Sequence, residues 1–184
     1  MRASSIVAPL LLVAGPLQAQ MVVTNDTLDT PRREVLEALV VVRDSLRPIE
    51  AAAAQLQRGS ATASSELLFS RGRILLKACR TSLETLPAAR AEVARGEWPQ
   101  EIQVQRQREL MHEFSRLEHA LAKCDTTWTR LATPEQAHDI PTVGLAHAQE
   151  ITADIHRYQN SVGSFLKPLG IRLEPIGAGP GVLP

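Results

Sequence analysis

The sequence predicts an all-α protein: an antiparallel, up-down-up-down four-helix bundle with heptad-type seams, preceded by a signal peptide. Four long segments each repeat apolar residues at alternate spacings of three and four, the period of a helix with one buried face. Gly and Pro residues separate these segments, and no segment shows the period of two that is typical of strands. Hydrophobic residues make up 44% of the 184 residues, which is enough for one core.

The first 19 residues are typical of a secretory signal peptide. A short basic start precedes an apolar stretch over 6–17, and Ala19 offers a cleavage site. The alternative is a membrane anchor, but a span needs about 20 apolar residues, and this stretch is shorter and contains two prolines. We therefore expect export to the periplasm or the medium, with no integral membrane segment after cleavage. Residues 20–30 then form a polar leader.

The first two helices are predicted over 31–58 and 62–95. Thr30 and Pro31 are typical of an N-cap and a first helical residue, and Gly59 is typical of a helix stop. The inward positions of the first helix are Val35, Leu39, Val42, Leu46, Ile49, Ala53 and Leu56. Those of the second helix are Leu68, Gly72, Leu75, Cys79, Ser82, Leu86, Ala89 and Val93.

The last two helices are predicted over 99–131 and 141–167. The inward positions of the third helix are Leu110, Phe114, Leu117, Leu121, Cys124, Trp128 and Leu131. Those of the fourth are Gly144, Ala148, Ile151, Ile155, Tyr158, Val162 and Phe165. A single helix cannot bury its own apolar seam, and the short connections make neighbouring helices antiparallel. The helices are therefore expected to form one antiparallel bundle over 31–168. Residues 169–184 are rich in Gly and Pro and are predicted to be a flexible tail.

Several inward positions carry small residues, which would let the helices approach closely in one layer. They are Ala53, Gly72, Ser82, Gly144 and Ala148. We interpret this layer as tight packing, with a cavity as the alternative. A turn at Gly59 pairs Leu46 with Leu75 across the first hairpin, and we expect the Ser82 hydroxyl to bond a carbonyl of its own helix.

The two cysteines predict a disulfide if the second hairpin has the right register. One register places Cys124 opposite Cys79, and the other, one heptad away, places it opposite Gly72. One heptad is about 10 Å, too far for a disulfide to bridge. We favour the first register because the polar start of the third helix then overhangs the hairpin and leaves Gln103 and Gln107 unburied. The alternative is two buried thiols that behave as small hydrophobic groups.

Composition and charge exclude several classes of function. The chain has 20 basic and 20 acidic residues, whereas a general nucleic-acid binder needs a basic excess, so we expect no nucleic-acid partner. Aromatic residues, at 3%, are too few for base-stacking platforms. Two cysteines cannot build a disulfide-dense scaffold or a four-thiolate zinc site.

Five histidines are candidate haem or metal ligands, and none is predicted to point inward. His112 and His119 lie opposite the seam of the third helix, and His138 lies in a linker. His147 and His156 lie on the flank or outer face of the fourth helix. We therefore predict no metal ligand and no haem.

Two Glu-x-x-His segments match the sequence motif of di-metal four-helix bundles, but in those bundles the motif faces the interior. The segment at Glu109 is predicted to face outward, and the one at Glu135 lies in a linker. The sequence also contains no nucleophile motif and no Gly-rich phosphate loop. We therefore predict no cofactor and no catalytic residue.

A second apolar stripe runs beside the seam of the second helix. It consists of Phe69, Leu76 and Leu83, each seven residues apart. The default interpretation is the flank of the core, covered by the first helix. The alternative is an interface that recruits a partner helix or a second copy. Three arginines of this helix, Arg71, Arg73 and Arg80, are interpreted as a solvated surface.

We hypothesise from these features an exported, non-enzymatic helical bundle that acts as an interaction or structural module. Its partner is unknown: another protein, or the chain itself through a helix face. The runner-up hypothesis is a carrier of a small ligand or haem, with its pocket in the layer of small residues inside the bundle.

Overall fold

A computed structural model of the protein describes residues 30–59, 63–98, 100–171 and 173. Four helices pack against one another and no described residue lies in a strand, so the predicted four-helix bundle is confirmed. The helices are α1 Thr30–Gly59, α2 Ser65–Arg95, α3 Glu101–Leu131 and α4 Leu145–Leu166. The α3–α4 connection contains the 3-10 helix Pro134–Asp139 and the π-helical turn Ile140–Gly144, and a second 3-10 helix, Lys167–Leu169, follows α4.

The ends of the chain fall mostly outside this description. The predicted signal peptide (1–19), the leader before residue 30 and the tail from residue 174 lie outside the described residues. The first residues of the predicted tail pack on the bundle, with Ile171 buried and Leu173 half-buried. None of the described helices combines the length and the hydropathy needed to cross a membrane.

The first hairpin has a register about one heptad away from the predicted one. The Ser82 hydroxyl donates to the carbonyl oxygen of Ser45 at 2.8 Å, so Ser82, and not Leu75, lies level with Leu46. The same bond shows that Ser82 does not bond back to its own helix. The connection is longer than predicted, because α2 begins at Ser65, and this later start moves the register in the observed direction.

The second hairpin has the favoured register, and the start of α3 extends past the end of α2 as predicted, but its glutamines are not left open to solvent. Gln103 is buried, with 4% of its surface exposed. The Gln107 side-chain amide donates to the carbonyl oxygens of Val93 at 2.6 Å and Gly96 at 3.0 Å. The last carbonyls of a helix lack partners within the helix, so these bonds cap the end of α2. Gln103 is buried and Gln107 is half-buried, so the prediction that both stay unburied was wrong. Gln107 is held in place because the end of α2 needs hydrogen-bond donors.

Two of the predicted small residues, Gly72 and Gly144, leave room for the indole ring of Trp128. A Cβ atom added at Gly72 would lie 2.8 Å from Cζ3 of Trp128, and one added at Gly144 would lie 2.9 Å from its Cη2. Both distances are far below ordinary van der Waals contact. Tight packing, the favoured interpretation of this layer, is what the structure shows there.

α4 runs antiparallel to α3 and completes the bundle. Phe114 and Tyr158 pack edge to face with ring centroids 5.2 Å apart. Further along α3, Lys123 pairs with Glu150 nearer the start of α4, at 2.7 Å. Residues later in α3 therefore meet residues earlier in α4, and α4 also packs against α1.

Replacing Gly72 with Ala tests the packing around Trp128. A Cβ atom at Gly163, also inside a helix, meets nothing within 4 Å. Both Gly→Ala changes gain about 1 kcal/mol of helix propensity, so their difference isolates the overpacking, expected at about 1–3 kcal/mol. In urea unfolding, Gly72→Ala should have the lower free energy of unfolding by that amount. Equal free energies for the two variants would contradict the packing described here.

Candidate functional site

Cys79 of α2 and Cys124 of α3 form a disulfide in the centre of the bundle. Their sulfur atoms are 2.06 Å apart, their Cα atoms are 6.2 Å apart, and both side chains are fully buried. Stable disulfides persist in oxidising compartments and are rare in the cytosol. The bond therefore fits an oxidising location outside the cytosol.

The stripe at Phe69, Leu76 and Leu83 is half-buried and packs against the core. We expected α1 to cover it, but it lies on the side of α2 that faces α3. Arg80, one helical turn from Leu76 and Leu83, donates to Oδ1 of Asp125 on α3 at 2.6 Å. The expectation failed because the heptad pattern alone does not determine on which side of a helix each neighbour lies.

The outward side of α2 combines apolar and basic side chains. Ile74 exposes 51% of its surface. The guanidinium carbon of Arg73 lies 5.9 Å from the centroid of the Phe69 ring, a cation–π distance. We define the α2 face as the surface formed by Phe69, Arg73, Ile74, Leu76 and Lys77, which Glu66, Ser70 and Arg80 also line. Arg73 is exposed, as the sequence predicts, but its contact with Phe69 of the stripe is not evident from the heptad pattern.

His147, predicted on the flank or outer face of α4, is buried, with 5% of its surface exposed, so the prediction that no histidine points inward was wrong. Its Nδ1 accepts a hydrogen bond from Nε1 of Trp128 at 3.2 Å. A buried indole N–H usually requires an acceptor, and this requirement explains a histidine in the core. Trp128 at an inward position was the signal in the sequence that could have predicted this acceptor.

Burial determines the proton affinity of His147. Loss of solvent lowers the pKa of the imidazole below its ordinary value. The nearby carboxylates of Glu150 and Asp154 act in the opposite direction, and the Lys123 ammonium adds to the lowering. The imidazole is therefore held in its neutral form, as acceptance at Nδ1 requires.

The other four histidines lie on the surface. They are His112, His119, His138 and His156. Of the two Glu-x-x-His segments, the first has Glu109 paired with Arg106 at 2.8 Å, and the second lies in the 3-10 helix after α3. Within the described parts of the chain, no three His, Cys, Asp or Glu side chains converge as a metal site would require.

Glu50 connects α1 to α4. Only 11% of its side chain is exposed, and its Oε1 accepts from the Gln159 amide at 3.1 Å. Nε2 of His156 lies 3.4 Å from the same oxygen. Burial raises the pKa of the Glu50 carboxyl above its ordinary value, although His156 and the bond from Gln159 oppose this effect. The polar contact thus joins the first and last helices.

Comparisons of this chain with protein-family models, with curated proteins and with solved structures give no match.

Removing the disulfide should weaken the bundle without changing its architecture. The bond joins residues 45 apart in sequence, and the chain-entropy model gives about 4 kcal/mol for a loop of that size. In urea unfolding, Cys79→Ala/Cys124→Ala should lose up to about 4 kcal/mol relative to the unchanged chain. Alkylation of the unfolded chain provides the check: two labels with reductant and none without it. Two labels without reductant would show that the cysteines are free thiols.

His147 should make stability depend on pH. Because its pKa is lowered in the folded state, the unfolded chain takes up a proton first as the pH falls. The stabilisation is complete above about pH 6.5 and is lost as the pH falls from there through the lowered pKa. His147→Gln keeps an acceptor for Trp128 but does not titrate, and His119→Gln is the exposed control.

Urea unfolding at about pH 7.5 and about pH 5.5 measures this loss. The unchanged chain and His119→Gln should lose the same free energy of unfolding between the two pH values. His147→Gln should lose less. An equal loss in all three proteins would contradict the role assigned to His147.

Proposed function

We propose that this chain is an exported, non-enzymatic interaction module that docks an acidic amphipathic helix of a partner protein on the α2 face. The observation that carries the proposal is the combination of exposed apolar surface and unpaired basic groups on that face. Export to the periplasm or the medium is supported by the basic and then apolar start of the sequence and by the Cys79–Cys124 bond.

The apolar part of the α2 face provides contacts that a partner would cover. Ile74 is half exposed, and Phe69 and Leu76 are only partly covered by the bundle. Phe69, Arg73 and Leu76 follow the i, i+4, i+7 spacing by which one helix recognises another. Fully burying side chains of this size is worth about 1.5–3 kcal/mol each, so covering the part still exposed contributes a share of that.

The centre of the α2 face is basic, although Glu66 lines it two turns before Arg73, and this basic centre favours an acidic partner segment. Arg73 and Lys77 are one turn apart, and neither forms an ion pair with a described residue. Arg80, just beyond them, is already neutralised by Asp125. A second copy could dock antiparallel on the same face, with its two-fold axis at the level of Leu75. Arg73 of one copy would then lie against Lys77 of the other, and this repulsion costs affinity. An acidic helix would instead match the two cations.

Photo-crosslinking from the α2 face tests the proposal in the cells that make the protein. The photoreactive residue p-benzoylphenylalanine replaces Ile74, and the matched control carries it at Val41 of α1, which exposes 53% of its surface. We expect position 74, and not position 41, to crosslink a partner segment that is an acidic amphipathic helix. Arg73→Glu/Lys77→Glu in the same chain should reduce the yield several-fold, because the charges then repel.

Three outcomes would contradict the proposal. A crosslinked dimer of the chain would show that the face is covered by a second copy. The same products at positions 74 and 41 would show that contact with the α2 face is not specific. No product at position 74 would show that the face stays open to solvent.

A further inference from the structure

The charged side chains that line the α2 face form one row along the helix. Their spacings of seven, four and three residues place all of them within about 60° of one another around the helix axis. From the start of α2 they are Glu66, Arg73, Lys77 and Arg80. The last of these is neutralised by Asp125 on α3. The α2 face therefore has a direction, with an acidic end toward the start of α2 and a basic centre.

The acidic end and the basic centre act separately on a partner. At a rise of 1.5 Å per residue, Glu66 lies about 10 Å along the axis from Arg73 and about 16 Å from Lys77. Charges in solvent are screened over about 8 Å at physiological ionic strength, so Glu66 does not cancel either cation. Glu66 itself forms no ion pair with a described residue. A docked helix would thus meet an unpaired negative charge and, two turns further along α2, two unpaired positive charges.

The direction of the partner follows from the dipole of its own helix. Acidic side chains stabilise the first turn of a helix, and basic side chains stabilise the last turn. A helix docked antiparallel to α2 begins near Lys77 and ends near Glu66. Acidic residues that match the two cations, and a basic residue that matches Glu66, then lie where they also stabilise the partner helix. In a helix docked parallel to α2, the same charges would lie at the destabilising ends.

We propose, on the basis of the proposed function, that the partner helix docks antiparallel to α2 and carries its charges in a fixed order. Acidic residues in its first two turns face Lys77 and Arg73, and a basic residue in its last turn faces Glu66. Its apolar side chains cover Leu76 and Ile74. The α2 face thereby selects among acidic amphipathic helices by the order of their charges, and not by their net charge alone.

Two synthetic peptides test the direction of docking on the purified chain with its disulfide intact. Each is an amphipathic helix of about four turns with blocked termini. The forward peptide has Glu in its first two turns and Lys in its last turn, and the reversed peptide has these charges in the opposite order. A nitroxide at the start of the forward peptide should broaden the amide NMR signals around Lys77, and one at its end those around Glu66. The forward peptide should bind about tenfold more tightly than the reversed one.

The double variant Glu66→Lys/Lys77→Glu reverses the row of charges and is the matched control. Both side chains are exposed, so the bundle should stay folded, and amide signals away from the α2 face should be unchanged. The forward peptide should now dock parallel to α2, and the nitroxide at its start should broaden the signals around position 66.

The outcomes separate this charge order from the proposed function. A parallel forward peptide on the unchanged chain, the same direction in the double variant, or equal affinities of the two peptides would each overturn the charge order. The α2 face would still be the docking surface in those cases. No broadening along α2 with either peptide would overturn the proposed function as well.

Discussion

The bond between Cys79 and Cys124 fixes the height of α3 against α2, and the other contacts of this hairpin depend on that height. At this height Gln107 reaches the last carbonyls of α2, and Arg80 reaches Asp125. A shift of one heptad, about 10 Å, would break both contacts. The covalent bond thus selects one register from those that the repeating seams allow.

Trp128 is the second constraint, since its indole is too large for a layer with ordinary side chains. Gly72 and Gly144 leave room for the ring, and His147 accepts its N–H. The π-helical turn before α4 brings Gly144 to the ring, so the irregular connection is part of the packing. One large residue therefore determines the composition of three neighbouring elements.

The sequence could predict which residues face inward, because that depends only on the period of the helix. Trp128 and Tyr158 were both assigned correctly on this ground. Register is different, because a seam packs almost equally well when shifted by seven residues, and Ser82 rather than Leu75 lies level with Leu46. An inward Trp128 indicates that an acceptor is needed nearby, but which residue supplies it, here His147, depends on how α4 is aligned with α3.

The disulfide joins α2 and α3, the two middle helices of the chain. Apart from the chain connections, α1 and α4 are held against them by non-covalent contacts. Proteins open in cooperative units whose free energies differ, and a covalent link raises the cost for the unit that contains it. We therefore expect the slowest amide hydrogen exchange in the α2–α3 hairpin, and a sub-global opening of lower free-energy cost where α1 separates from α4.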